Sequence, residues 1–381
     1  MRILSVSPFP VLPLSHGGRV RAYRLAVGLA RAGAKVDLAC PWHPGLPLRA
    51  FKREGITIRP FAFAANILPV LLGDRILSPL LQLSWQPFTL GPRRLLRQSR
   101  LYDLVEFHFC AYPSWMSRAA RTTRVVYSAH NVEVDYATAK RLKGLHGLSG
   151  RQVGLLEGRA VDASDLVVAC TDTDARRLVQ LYGPTAIAVI SNGFDEGEIW
   201  SGKGLEREEA REKLGLQAEE LAILFVGGRA LHNRRAVAFL EHQLLPGLRR
   251  PARLIIVGEC ARPRRDTHVL ALGLVDRLSP LLAAADVAVN PIESGSGSNV
   301  KLAEYIASGL PVVTTPIGLR GYEAYAHLVT VAELDAFVEA VDATNRRPAP
   351  SPELAELSWN ALGRRLYQVY ADLLSRPHSP S

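Results

Sequence analysis

The sequence predicts an α/β protein of two doubly wound, Rossmann-like units facing a central cleft, and three observations carry that expectation. At 381 residues the chain is long for a single core. Short apolar runs alternate with stretches of helical spacing from the first residues onward, the pattern of parallel strands with crossover helices. After ISNGFD at 190–195 the pattern restarts, so residues 1–194 and 195–351 read as two units and 352–375 as a helix crossing back to the first.

In the first unit, Ile3 to Ser7 reads as a strand, the proline-rich loop 8–18 closes with HGG, and Arg19 to Ala32 has a broad apolar helical face stopped by Gly33. Lys35 to Cys40 and Ile56 to Phe61 continue the strands. Leu104 to Phe109, Arg124 to Ser128, Leu166 to Cys170 and Ala186 to Ile190 follow, with helices between them. Residues 61–100 combine apolar segments with Arg93, Arg94, Arg97 and Arg100, which fits core helices with arginines at the surface, or contact with an anionic membrane. His130 follows a strand directly, where polar residues of open α/β sheets line the ligand crevice. Asp172 and Asp174 open a helix and read as its cap rather than as a metal–diphosphate site.

In the second unit, Glu206 to Leu214 reads as a helix and Leu221 to Val226 as a new first strand. The loop GGRALHNRR carries Arg229, Arg234 and Arg235, and a helix is expected from about Ala236 to Leu248, then a strand from Arg253 to Val257. The organising stretch is 285–315, ADVAVNPIESGSGSNVKLAEYIASGLPVVTT. It gives a strand to Pro291, a small-residue loop with Gly295 and Gly297, a helix from Asn299 to Ser308 capped by Ser298 or Asn299 and ended by Gly309, and a strand from Pro311 to Thr315. The unpaired amides and dipole of such a helix start attract anions. Lys301 in the first turn is well placed for a phosphate, and Glu304 one turn on for ribose hydroxyls. The same residues also fit an ordinary capped helix with an i,i+3 Lys–Glu pair.

Composition is that of a globular protein, 48% hydrophobic and 22% charged, with a net charge of +10. Residues 1–130 hold 18 Lys and Arg against 5 Asp and Glu. That half invites an acidic partner, such as anionic lipid or a phosphorylated substrate. Nucleic acid is not expected, since no recognition helix or aromatic platform is evident. Cys40, Cys110, Cys170 and Cys260 are spaced too widely for a metal knuckle and read as buried strand-end thiols of a reducing compartment. With no signal region and no apolar stretch long enough to span a bilayer, a cytoplasmic location is expected, peripheral on the cytoplasmic membrane face if the arginines engage lipid.

On HGGRVRAYRLAVGLARAGAKV, SAHNVE, ASDLVVACTDTDARRL, ISNGFD, FVGG and the 285–315 stretch together, the chain resembles the retaining glycosyltransferases of family 4 (glycosyl transferases group 1, GT-B fold) over nearly its whole length. The resemblance implies a sugar moved from a nucleotide-sugar donor to a hydroxyl acceptor, a glycan, lipid-linked oligosaccharide or small molecule, without a metal or other cofactor. The second unit would bind the donor and the first the acceptor. Gly17 and Gly18 would approach the donor diphosphate, His130 the donor sugar, and Glu304 the ribose. Lys301, one of Arg229 or Arg234, and the backbone of Gly295 to Asn299 would stabilise the leaving diphosphate. Two departures stand out: the first of two family acids falls on Ser296, with Glu293 three positions earlier, and the family's Arg–Lys pair is irregular beyond Arg229. A nucleotide-sugar epimerase or hydrolase of similar fold, or a degenerate scaffold, are the competing readings.

Overall fold

The alternating runs fold into two parallel-sheet units in a computed structural model, which describes residues 1–14, 17–61, 99–139, 150–199, 207–294, 297–344 and 352–377. One unit comprises Met1–Ser191 with Asn360–Ser381, the other Asn192–Trp359, so the division falls inside ISNGFD.

The first unit contains β1 (Arg2–Val6), α1 (Gly17–Arg31), β2 (Lys35–Pro41), β3 (Phe51–Arg53), β4 (Ile56–Phe61), β5 (Leu104–His108), α2 (Pro113–Ala119), β6 (Arg124–Ser128), α3 (Glu133–Ala139), α4 (Gly150–Asp162), β7 (Leu166–Ala169), α5 (Asp172–Tyr182) and β8 (Ile187–Val189). The sheet order is β3-β4-β2-β1-β5-β6-β7-β8, parallel except for the β3–β4 pair. Strands β5, β6 and β7 are buried along their whole length, as strands of a sheet covered on both faces should be, and β5 carries the polar Glu106 and His108 inside with it. The order reverses at β1 and β5, where Leu4 stands opposite Val105. In such sheets the ligand crevice lies at the carboxyl ends of the strands flanking that reversal.

The second unit contains α6 (Arg207–Leu214), β9 (Leu221–Val226), α7 (Leu231–Phe239), β10 (Ala252–Val257), β11 (Arg264–Arg265), β12 (Val269–Gly273), α8 (Ser279–Ala284), β13 (Val287–Asn290), α9 (Val300–Ala307), β14 (Val312–Thr314), β15 (Thr330–Val331) and α10 (Phe337–Asp342). Its order is β11-β12-β10-β9-β13-β14-β15, with the reversal between β9 and β13. Two apolar layers enclose this sheet, one including Leu224, Ile255, Leu302 and Tyr305, the other Phe225, Phe239, Ile256 and Phe337. Helix α11 (Trp359–Ser375) ends the chain's regular structure. From Asn360 on it belongs to the first unit, where a Cβ on Gly363 would strike the backbone of Gly28 in α1.

Several expectations need correction. The helix expected from Ala236 starts at Leu231, because Ala230 begins it without a side-chain cap that the sequence could advertise. Arg234 and Arg235 therefore lie on α7 and not in the loop. That helix passes into a π-helical turn over Leu240–Leu244. The tail expected as one helix from Pro352 is a 3-10 turn, Pro352–Leu357, followed by α11. Thr171, not an aspartate, is the N-cap of α5, its hydroxyl accepting from the Asp174 amide at 2.9 Å. The four cysteines are free and buried as expected, and burial pushes the Cys40 and Cys170 thiols up to about 11. Of the arginines flanking the apolar segments, Arg93, Arg94 and Arg97 lie outside the described residues. Among the described residues no helix is long and apolar enough to cross a membrane.

Candidate active site

Beside the reversal point of the second sheet, the ends of β9 and β10 pack so closely that glycine is required. Gly258, just past β10, has a φ of +94°, and a Cβ there would strike the carbonyl oxygen of Gly227, just past β9. The Gly258 amide donates to Gly273 O at 2.6 Å and the Cys260 amide to Gly227 O at 3.2 Å. From this knot Arg229 emerges, its side chain about two-thirds exposed, with Nε 2.8 Å from Glu259 Oε1 and Nη2 on the same oxygen. Arg234 reaches back from α7 to donate from Nε and Nη2 to Arg229 O at 3.2 and 3.0 Å.

Residues 297–299, just before α9, are each held by a hydrogen bond. Gly297, at φ +69°, accepts from Arg320 Nε at 2.8 Å. Ser298 accepts from Asn192 Nδ2 at its hydroxyl, 2.8 Å, and at its carbonyl, 3.3 Å. Asn299 is the N-cap, but its side chain makes no capping bond; Nδ2 donates to Gly318 O at 3.0 Å. The loop is thus fixed from outside the helix, and Asn299 does not compete with a ligand for the first amides of α9. Gly295 and Ser296 lie outside the described residues, and Glu293 is exposed.

Helix α9 is buried nearly all round past its first residue, and Glu304, partly exposed, sits among buried neighbours. The Val226 amide donates to the Tyr305 hydroxyl at 2.7 Å, fastening α9 to the end of β9. Lys301 turns inward. Its Nζ lies 4.3 Å from the centre of the Phe225 ring and donates to Asn233 Oδ1 at 3.2 Å. Burial pulls its pKa down to about 7, with Cys260 opposing weakly. The structure therefore places this amine beneath the loop, against ring and amide, and not at its open face.

In the first unit, Gly17 and Gly18 are the first residues of α1, Gly17 exposed and Gly18 half-buried. One turn on, the buried Arg21 donates to Ile190 O at 2.7 Å and Ser191 O at 2.9 Å. His130 follows β6 and is buried, its ring 4.2 Å from that of Phe109, which in turn meets Phe9 edge-on at 5.1 Å. Phe109 holds a φ of +63°, rare for an aromatic residue and typical of backbone constrained at a site. His130 Nε2 is 3.0 Å from His108 Nδ1.

Sequence reasoning did not find Asn192, Asn233, Gly318, Arg320 or His108. Asn192 had a signal in its position inside ISNGFD; the others act across 19 or more residues of chain, and of these His108 alone had a local hint, its alternation with Glu106 on β5. Arg320→Ala is expected to free the Gly297 carbonyl and destabilise the second unit by roughly 1.5–3 kcal/mol, the worth of one charge-assisted bond. Urea unfolding checks this, and unchanged stability would mean that the bond does not hold the loop.

No group of three or more His, Cys, Asp or Glu among the described residues is placed to hold a metal ion. Residues 15–198 match the family model described as Glycosyltransferase Family 4, and residues 220–344 the one described as Glycosyl transferases group 1. The D-inositol 3-phosphate glycosyltransferase of Acidothermus cellulolyticus is 31% identical over 354 residues, covering 84% of this chain and 75% of that protein. Among solved structures, sucrose-phosphate synthase from Thermosynechococcus elongatus superposes with a TM-score of 0.75 at 17% identity, over 98% of this chain and 100% of that one. HepE of Anabaena, in complex with UDP and glucose, superposes with a TM-score of 0.61 at 15% identity, over 98% and 99%.

Proposed function

This chain belongs to glycosyltransferase family 4 and is a glycosyltransferase of the GT-B type; from that premise we propose that it moves a sugar from a nucleoside-diphosphate donor to a hydroxyl acceptor with retention of anomeric configuration. The observation that carries the reading is the pinned loop 297–299 at the start of α9, at the carboxyl edge of the second sheet. Its fixed amides suit a diphosphate, and Glu304, partly exposed one turn on, suits ribose hydroxyls. Arg229 adds a cation at the neighbouring strand end, steered by Glu259. Arg234 supports it through the Arg229 carbonyl, and Lys301 holds Asn233, whose Nδ2 donates to Gly228 O next to Arg229. Charge stabilisation of a departing diphosphate by fixed donors contributes about 3–4 kcal/mol per strong donor. In such a scheme the diphosphate itself assists the incoming hydroxyl, no protein nucleophile is required, and no metal is invoked.

HepE was crystallised with UDP and glucose, which makes UDP-sugars the first donors to test. The relative named for D-inositol 3-phosphate, together with the basic first half of this chain, favours a phosphorylated acceptor. Glycan and lipid-linked acceptors, the latter with peripheral contact to anionic membrane, remain in the same test. A panel of nucleotide sugars should raise the melting temperature selectively. Nucleoside diphosphate should then be released only with acceptor, and proton NMR of the product should show the donor's anomeric configuration. Glu304→Ala should weaken UDP binding while leaving inorganic diphosphate binding unchanged. Release without acceptor would instead indicate a hydrolase, and no nucleotide-dependent shift a scaffold.

A further inference from the structure

Within the first unit, a buried chain of polar side chains runs behind His130. His130 Nε2 meets His108 Nδ1 at 3.0 Å, and His108 Nε2 meets Ser5 Oγ at 2.9 Å. The Ser5 hydroxyl donates to Glu106 Oε2 at 3.1 Å, and Tyr370, on α11, donates to Glu106 Oε1 at 3.0 Å. These groups come from β1, β5, the second residue after β6, and the last helix. Ser5, Glu106, His108 and Tyr370 are at most 1% exposed and His130 6%.

The direction of each bond follows from its neighbour. Ser5 gives its one proton to Glu106, so its oxygen must accept from His108 Nε2–H. A neutral His108 carrying that proton offers a lone pair at Nδ1, so His130 must donate from Nε2. We propose that His108 is a positioning residue that fixes His130 as its Nε2–H tautomer, so that any group meeting His130 Nδ1 has to donate a hydrogen bond, as a sugar hydroxyl can. The sugar rests on the function proposed above; the tautomer does not.

His108 stays neutral because burial lowers its pKa below the usual 6.5, with Glu106 pulling upward and the buried Arg21 guanidinium pushing further down. The ionisable groups facing it are Glu106 on its own strand, 3.6 Å away, Arg21 from α1, His130 beyond β6, and Tyr370 from α11 through Glu106. Protonating His108 would give both its nitrogens hydrogens. His130 Nε2 would then have to accept, and its proton would move to Nδ1. Acid therefore reverses the polarity of the His108–His130 bond, while the bonds from His108 to Ser5 and from Ser5 and Tyr370 to Glu106 keep their direction.

The experiment is nitrogen-15 NMR of the full chain labelled at histidine, with His130 assigned by its loss in His130→Gln. At neutral pH the wild type should show a protonated Nε2 and an unprotonated Nδ1 on His130. His108→Leu should redistribute that ring between both tautomers and lower kcat more than tenfold with little change in donor KM. His108→Gln, whose amide can both donate to Ser5 and accept from His130, should keep the tautomer and most of the activity. A wild-type His130 protonated at Nδ1, or one whose tautomer is unmoved in His108→Leu, overturns the proposal. The wild-type spectrum alone decides the matter if the leucine variant does not fold. It also decides it if no transferase activity is found, since that result bears on the proposed reaction and not on the ring.

Discussion

Gly318→Ala is expected to destabilise the second unit by about 3 kcal/mol, at the upper end of ordinary overpacking. Gly318 lies in a single helical turn after β14, Pro316–Leu319, closed by its amide on Thr315 Oγ1 at 3.0 Å. A Cβ there would lie 2.6 Å from Asn290 Nδ2 and 2.8 Å from Asn290 O, and would also collide with Thr314 Oγ1. These neighbours are buried strand-end groups that are themselves bonded together, Asn290 Nδ2 to Thr314 Oγ1 at 3.2 Å and to Gly318 O at 3.1 Å. The Gly318 carbonyl also anchors Asn299, so the alanine should loosen the loop before α9 and reduce UDP affinity together with stability. Thermal melts should show a fall of about 6–12 °C. Gly228→Ala is the control, because nothing lies within 4 Å of a Cβ at that site. Equal melting temperatures for the two variants would mean that the surroundings of Gly318 yield.

The second large effect concerns pH. Lys301 loses its proton near pH 7 in the folded protein but holds it to about 10.5 when unfolded. Between those values the unfolded chain binds the extra proton, so this residue makes the fold more stable as pH rises. Below about pH 7 both states are protonated, and the cost of burying the charge is fully present. The buried thiols act oppositely: with pKa values raised to about 11, Cys40 and Cys170 cost stability once unfolded thiols ionise. A difference measurement isolates the lysine. Lys301→Met keeps most of the stem's volume against Phe225 and removes the titration. Urea unfolding at pH 7 and pH 9 should show wild type gaining about 2 kcal/mol relative to the variant. Parallel curves for the two proteins would place the ammonium in contact with water.

The fold was legible where burial and periodicity agree. Leu221–Val226, an uninterrupted apolar run, and Arg124–Ser128, apolar at its centre, were placed to the residue. The short edge strands Phe51–Arg53 and Arg264–Arg265 are charged and exposed, so they carry no apolar signal and were missed. Strand Val269–Gly273 was also missed, since its five residues offer too little alternation or flanking chemistry to separate it from loop. The glycine loop, α9 and Gly309 were readable because glycines and cap residues punctuate a chain locally. Which way Lys301 points was not readable: in a helix buried nearly all round, i,i+3 spacing gives no outward face. The His108–His130 contact joins two strands, and neither residue's local pattern names the other. Glu106 and His108 do alternate onto one face of β5, which in retrospect is a signal of buried polar structure.

The last helix also sets an order of assembly. Its Gly363 seats against Gly28, Tyr370 binds Glu106, and the Arg124 guanidinium holds the carbonyls of Arg376 and Pro377. All of these partners are translated hundreds of residues before it. A ribosome making this chain therefore finishes the half it began first only after the half it began second, because Asn192–Trp359 is complete before residues 360–377 emerge. The early half lacks the Tyr370 bond to Glu106 and the carbonyls that Arg124 holds until that helix emerges.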